Sequence, residues 1–233
     1  GAPITVPSQD MVLGLYYLTK GKKNDKQTVV KGEGLTFYSP EEVIIAYNEK
    51  RVDLNAVIKV RIDNEREGEK LVTKVIETTV GRVIFNQVVP KQVGYINELL
   101  TKKSLRDIIG DIVKRTDMAT TSKFLDDIKG LGFMTAFRGG LSFNLGDIVI
   151  PEEKQKLINQ AYEQVDEVLG NYNMGFITNN ERYNQIIDIW THTNSRLTKI
   201  VLDKLSTERQ GFNSVYMMLD SGARGSKEQI KQL

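Results

Sequence analysis

The sequence predicts an α+β chain, mainly helical, with a small β-containing part early on and a protruding antiparallel helical hairpin later. Two observations carry this: residues 55–63 (NAVIKVRID) alternate apolar and polar, and from Lys102 onward apolar residues recur at spacings of three and four. A third is composition: 40% hydrophobic and 27% charged among 233 residues is ordinary for a folded protein and argues against disorder.

In chain order, residues 7–20 (PSQDMVLGLYYLTK) predict a short helix capped by Ser8, with Met11, Val12, Leu15 and Tyr16 on its apolar face. Residues 20–34 carry five Lys against two acids and no aromatic. They predict a mobile, solvated surface loop, with a phosphate-contacting basic loop as the functional alternative. Ser39, Pro40 and Glu42 give a helix start with a capping box, the helix running to about Lys50. In the alternating run, Ala56, Ile58, Val60 and Ile62 share one face and Lys59 and Arg61 the other, the pattern of a half-buried strand. Residues 64–70 (NEREGEK) read as a polar turn and 71–79 as the return strand, while 79–89 fit either a strand or a short helix.

Further on, Ser104 with Asp107 predicts a helix start, and Leu105, Ile108, Ile109, Ile112 and Val113 its buried stripe. A second helix covers about residues 118–131. Residues 130–151, rich in Gly and Phe, read as an irregular packed connection and a domain boundary. Pro151 then opens a helix with Leu157, Ile158, Ala161, Val165, Val168 and Leu169 on one side, and residues 171–178 (NYNMGFIT) interrupt it. The next helix places Tyr183, Ile187, Trp190, Asn194, Leu197, Val201 and Leu205 along a single seam, which predicts a hairpin with coiled-coil character projecting from the body. Met174, Phe176 and Ile177, beside Asn171, are apolar in a turn that should be wet, so the tip reads as a docking surface; the alternative is that Phe176 folds back as a staple.

Several function classes are excluded. Thirty-two Lys and Arg against 30 Asp and Glu leave a net charge of +2, a weaker basic excess than a free-standing nucleic-acid binder carries. No apolar run is long enough to span a membrane, and the first residues lack the features of a secretory signal. With no Cys, disulfides, zinc–thiolate sites and thiol nucleophiles are out, and one histidine, His192, makes a His-rich metal site or a Ser-His-Asp triad hard to build. The paired acids Asp107/Asp111, Asp126/Asp127 and Asp166/Glu167 lack a third carboxylate in sequence and read as solvated faces. Residues 220–226 (DSGARGS) are the nearest thing to an anion site: Gly222 and Gly225 permit a tight bend and Arg224 offers a planar charged fork, either in a plain turn between helices or in an anion-facing loop. A first residue of Gly and a last helix of only a few residues suggest a piece of a longer protein.

Five blocks are specific enough to carry a resemblance: GAPITVPSQDMVLGLYYLT, TTVGRVIFNQVVP, GDIVIPEEK, ERYNQIIDIWTHTN and FNSVYMMLDSGARGSKEQIKQL. Together, in this order and over nearly the whole chain, they resemble the largest catalytic subunits (beta-prime) of bacterial DNA-directed RNA polymerase. The resemblance implies a pore region at 1–144, a funnel region with rim helices at 145–211, and the start of a further region at 212–233. The family's NADFDGD magnesium motif, bridge helix, trigger loop and zinc sites are absent from these residues. Mg2+ and Zn2+ are therefore expected of an intact subunit and no cofactor of this stretch, which alone should be inactive.

The resemblance further implies a lining of the secondary channel for nucleoside triphosphates. Transcript-cleavage and other channel-binding factors would dock on the hairpin tip at Asn171, Met174, Phe176 and Ile177. The loop Asp220, Ser221, Gly222, Arg224 and Gly225 would support the bridge helix. Other core subunits are implied as partners, with DNA and RNA reached through the complete enzyme, no membrane, and a cytoplasmic location. The sequence departs from the family at Leu219, where Ala is common, and at Gln185, where some relatives carry Lys; the latter puts an anionic regulator site there in doubt. Past Leu219 the loop and the last helix, residues 220–233, are expected to be either mobile or held by contacts foreign to the intact enzyme once their neighbours are missing. A stand-alone helical adaptor presenting a coiled-coil tip is the alternative reading.

Overall fold

The structure is a computed structural model describing residues 5–26, 28–68 and 70–232; residues 1–4 and 233, at the ends of blocks quoted above, and residues 27 and 69 lie outside the described residues. The first helix, α1 (Asp10–Thr19), is covered on nearly every side: Val12, Leu13, Leu15, Tyr16 and Leu18 are at most 3% exposed. Ser8 does not cap it. Gln9 is the N-cap, at φ 48° and ψ −122°, and the Ser8 carbonyl accepts the Met11 N–H at 3.2 Å. Gln9 thus takes the first central place of a II′-type turn, a place that favours Gly.

Within residues 20–26 and 28–34, where a mobile loop is expected, backbone bonds tie the segment to itself and to residues 53–55. Lys22 N–H donates to the Asn55 carbonyl (2.8 Å), Lys31 N–H to the Asp53 carboxylate (2.8 Å) and Asn24 N–H to the Glu33 carboxylate (2.6 Å), while Val30 is buried. Carboxylates take up the free backbone donors and one valine anchors the loop, features that its lysine content hides.

Ser39 caps α2 (Pro40–Asn48) through the Glu42 N–H, and the Glu42 carboxylate reaches back to the Tyr38 N–H at 2.7 Å. Strand β1 (Thr36–Phe37) pairs in parallel with β2 (Val57–Glu67), and β2 in antiparallel with β3 (Lys70–Thr79), giving the order β1-β2-β3. Ala56, Ile58, Val60 and Ile62 are wholly buried, as their alternation requires. The polar turn expected over 64–70 is shorter, because both strands carry their charged residues into the ladder beyond a register shift between Ile62 and Glu65. The ambiguous segment is a helix, α3 (Val80–Asn86), capped by Thr79. A Cβ on Gly81 would lie 1.7 Å from the Leu18 carbonyl oxygen, so α3 meets α1 at backbone distance.

Helix α4 (Lys102–Arg115) is capped by Thr101, not Ser104: Thr101 Oγ1 accepts the Ser104 N–H at 3.2 Å and Ser104 Oγ accepts the Thr101 N–H at 2.8 Å. Val113 is 46% exposed and leaves the stripe; Asp111 pairs with Arg115 at 2.8 Å. Helix α5 (Met118–Gly139) runs past Leu131 and stops only at Gly140, which has φ 57°. Its glycines do not break it; Gly132 receives α1, and a Cβ on Gly14 would sit 1.9 Å from the Gly132 oxygen. One core gathers Leu15, Phe85, Leu105, Ile109, Phe124 and Ile128, with Phe85 edge-on to Phe124 at 6.5 Å. A second lies on the inner face of β2 with Val43, Val52, Val80 and Val83.

The chain divides into two compact units: Gly1–Ser142 with Met217–Ser226, and Phe143–Tyr216 with Lys227–Leu233. The first unit is therefore made of two separated stretches. In the second, α6 (Glu153–Asn173) and α7 (Asn179–Thr207) contact each other; α8 (Ser214–Asp220) begins in the second unit and ends in the first, and α9 (Lys227–Gln232) belongs to the second. On α6, Leu157, Ala161 and Val168 are buried. On α7 the single seam fails: Leu205 is buried, but Asn194 is exposed and Ile187 and Tyr183 are 45% and 62% exposed. At about 100° per residue the seven positions stay within about 80° of arc, so the stripe itself is continuous; what fails is its burial, which is complete only at Leu205.

Candidate functional site

Two places collect the singled-out residues, one in each unit. In the second unit the tip joins α6 to α7. Gly175, at φ 79°, donates to the Tyr172 carbonyl at 2.9 Å, and the Phe176 N–H donates to the Asn171 carbonyl at 3.0 Å. This is a Schellman closure, in which Asn171 acts through its backbone. Thr178 then caps α7: its Oγ1 accepts the Glu181 N–H, and the Glu181 carboxylate accepts the Thr178 N–H (2.7 Å) and hydroxyl (2.8 Å). These bonds, the one to the backbone first, hold the Glu181 carboxyl below its ordinary pKa. Arg182 stacks its guanidinium over Tyr172, 5.0 Å from the ring centre, tying the two helix ends together.

With the backbone so fixed, Met174 and Phe176 are 70% and 73% exposed and Ile177 is partly covered. Phe176 does not fold back. The Schellman motif offers its hydrophobic contact at the position of Asn171, where there is no apolar side chain to receive it. Further along the hairpin, His192 is exposed and lines a groove of about 440 Å³ with Gln160, Gln164, Gln185 and Arg196.

In the first unit the DSGARGS loop lies against α1. Tyr16, fully buried, donates its hydroxyl to Asp220 Oδ2 at 2.5 Å and accepts from Lys20 Nζ at 3.1 Å. Burial lowers the Lys20 pKa, and the Asp220 charge opposes that shift. Ser221 is fully buried; its Oγ donates to the Met218 carbonyl and accepts the Ala223 N–H, both at 3.2 Å, and its carbonyl accepts the Lys102 N–H at 2.9 Å. Gly222 (φ 72°) and Gly225 (φ 84°) take the bends. The Arg224 N–H donates to the Met218 carbonyl at 3.2 Å. Its guanidinium reaches Asp10 Oδ1 through Nη2 (3.2 Å) and Nε (3.3 Å), and Gln9 Oε1 through Nη2 (3.4 Å).

Of the two expectations past Leu219, residues 220–224 show contacts: Tyr16 and Asp10 of α1, with Gln9, Lys102 and Met218, are their partners. Tyr16, Lys20, Gln9 and Asp10 were not singled out from sequence. A signal existed for Tyr16: a buried tyrosine needs a partner for its hydroxyl. The Arg224–Asp10 pair is half-exposed and worth about 0–1 kcal/mol. The Gln9 backbone beside it costs about 1–3 kcal/mol for a residue with a Cβ.

Among the described residues no three His, Asp or Glu side chains converge as metal ligands, and no helix is long and apolar enough to cross a membrane. The side chains present do not fit the Mg2+ or Zn2+ implied for an intact subunit, and no step is assigned to either ion here.

Family profiles give the class of protein: "RNA polymerase Rpb1, domain 3" matches residues 1–148 and "RNA polymerase Rpb1, domain 4" matches residues 177–233. The chain belongs to the RNA polymerase Rpb1 family. Over its whole length it is 63% identical to the DNA-directed RNA polymerase subunit beta' of Bacteroides fragilis, 60% to that of Parabacteroides distasonis and 61% to that of Flavobacterium johnsoniae. It spans 16% of the length of each.

Proposed function

We propose that the chain serves DNA-directed RNA polymerase, a nucleotidyltransferase, as a structural and regulatory part of its beta-prime subunit. In this reading residues 1–144 form the pore region, 145–211 the funnel with its rim-helix hairpin, and 212–233 the start of the region beneath the bridge helix. The chain lines the secondary channel through which nucleoside triphosphates pass, and the tip docks transcript-cleavage and other channel-binding factors. Core subunits are its neighbours, DNA and RNA are met only through the assembled enzyme, and the setting is cytoplasmic. Catalysis belongs to the whole enzyme; the 233-residue chain alone should extend no primer. Membership of the Rpb1 family favours this over a free-standing helical adaptor.

The observation that supports the docking role is the tip: Met174 and Phe176 stand exposed on a turn whose backbone is closed at both helix ends. Rigid apolar groups in water are the usual anchors of an interface. Phe176→Ala in the assembled polymerase should weaken binding of a cleavage factor about tenfold or more and leave the melting temperature of the chain unchanged. Unaltered affinity would remove the docking role. For the loop, Arg224 supplies a planar charged fork to a carboxylate or carbonyl of the moving elements. Arg224→Ala should slow nucleotide addition without abolishing it.

A further inference from the structure

Three features at the start of α1 call for one explanation. Gln9 holds a backbone conformation, φ 48° and ψ −122°, that suits Gly and not a residue with a side chain. Its Oε1 lies 3.4 Å from Arg224 Nη2, and the neighbouring Asp10 accepts from the same guanidinium at 3.2 and 3.3 Å. The loop that carries Arg224 is already fixed without these contacts, by Tyr16 on Asp220, by the Ser221 carbonyl on the Lys102 N–H, and by the Arg224 N–H on the Met218 carbonyl. The guanidinium contact is half-exposed and adds little to stability. What it does is fix one direction for the Arg224 fork. An arginine on a tight loop otherwise samples many rotamers, and holding it beforehand removes that entropy loss from the step in which it acts.

We infer that Gln9 and Asp10 are positioning residues for Arg224, with the strained Gln9 backbone retained because it sets both acceptors against one guanidinium. The inference rests on the proposed role of Arg224 in nucleotide addition. The two residues work through the arginine and touch no substrate themselves. Gln9 fixes the outer edge of the fork from a side-chain amide, and Asp10 supplies the charge that keeps the fork turned toward α1.

The test uses polymerase assembled with beta-prime variants, and reads single-turnover nucleotide addition alongside amide hydrogen exchange in residues 9–13. Gln9→Gly suits the backbone but removes the acceptor. It should slow addition about threefold to tenfold while making exchange in the first turn of α1 slower than in the unaltered enzyme. A purely structural contact would move both readouts toward loss. Asp10→Ala should slow addition by a similar factor. Either change combined with Arg224→Ala should be no slower than Arg224→Ala alone, because both act through that side chain. Effects that multiply, or normal rates in Gln9→Gly and Asp10→Ala with Arg224→Ala slow, would overturn the positioning role and leave the loop's role standing. Normal addition in Arg224→Ala would overturn the loop's role and the positioning role with it.

Discussion

Replacing Gly14 by alanine adds one methyl group where two helices touch through their backbones. The new Cβ would lie 1.9 Å from the Gly132 oxygen, 2.8 Å from the Gly132 carbonyl carbon and 2.9 Å from the Ala136 nitrogen. That is about 1.5 Å short of ordinary contact with the oxygen. Every obstructing atom is main chain, so no rotamer change makes room and α1 must move off α5. Overpacking a well-filled core costs about 1–3 kcal/mol, and a clash against backbone belongs at or above the top of that range. Alanine returns at most about 1 kcal/mol through helix propensity. The net loss is about 2–3 kcal/mol, which lowers the melting temperature of a chain this size by about 4–12 °C.

Gly130, two residues before Gly132 on α5, is the internal control: a Cβ there meets nothing within 4 Å. Gly130→Ala should raise the melting temperature by about 2–4 °C, since only propensity acts. Circular-dichroism melts of the two variants beside the unaltered chain measure this. A Gly14→Ala protein that melts as high as the parent, or a Gly130→Ala protein that falls as far as Gly14→Ala, would refute the argument from close approach.

Other consequences are as direct. Thr101→Ala removes the acceptor for the Ser104 N–H and should cost about 1 kcal/mol, read from the urea midpoint. Tyr16→Phe removes the hydroxyl that donates to Asp220 and accepts from Lys20; about 1–3 kcal/mol is lost, and exchange should quicken at residues 220–224 but not at the tip. The Glu181 carboxyl has a lower pKa folded than unfolded, so its contribution is complete above the ordinary glutamate pKa and disappears as pH falls through the lower, folded value. Acid titration by NMR should loosen residues 174–178 in that range, and Glu181→Gln should abolish the pH dependence of the loosening; a tip whose response to acid is the same in both proteins would contradict the capping account.

The parts legible in the sequence were those decided by neighbours in the chain. Ala56, Ile58, Val60 and Ile62 declare a strand because a period of two leaves no other buried face. Met174 and Phe176 declare an exposed tip because the turn around them is too short to cover them. The cap of α2 at Ser39 was legible, but those of α1 and α4 were misplaced by a few residues or less; Thr101 and Ser104 offer the same chemistry and geometry alone decides which one leads. The second half of α5 was hidden because Gly130, Gly132 and Gly139 look like breakers, whereas Gly132 is needed for contact with α1. The seam of α7 was misjudged because spacings of three and four fix which residues share a side of a helix, not that another helix covers that side along its whole length. The order of the DSGARGS loop could not be read at all: Asp220 is held by Tyr16, 204 positions earlier, and nothing local to either residue names the other.

The division of the first unit into Gly1–Ser142 and Met217–Ser226 also sets a schedule. When a ribosome has made the first stretch, the seat of Met217 is empty, and Tyr16 and the Lys102 N–H still lack Asp220 and the Ser221 carbonyl. At about 5–20 residues per second, the hairpin unit between the two stretches takes about 4–15 s to synthesise. Throughout that interval the first unit lacks the stretch that carries Met217, Asp220 and Ser221. The length of the hairpin therefore acts as a timer on the closure of a domain it is not part of, and lengthening it would delay that closure without altering one contact in the first unit.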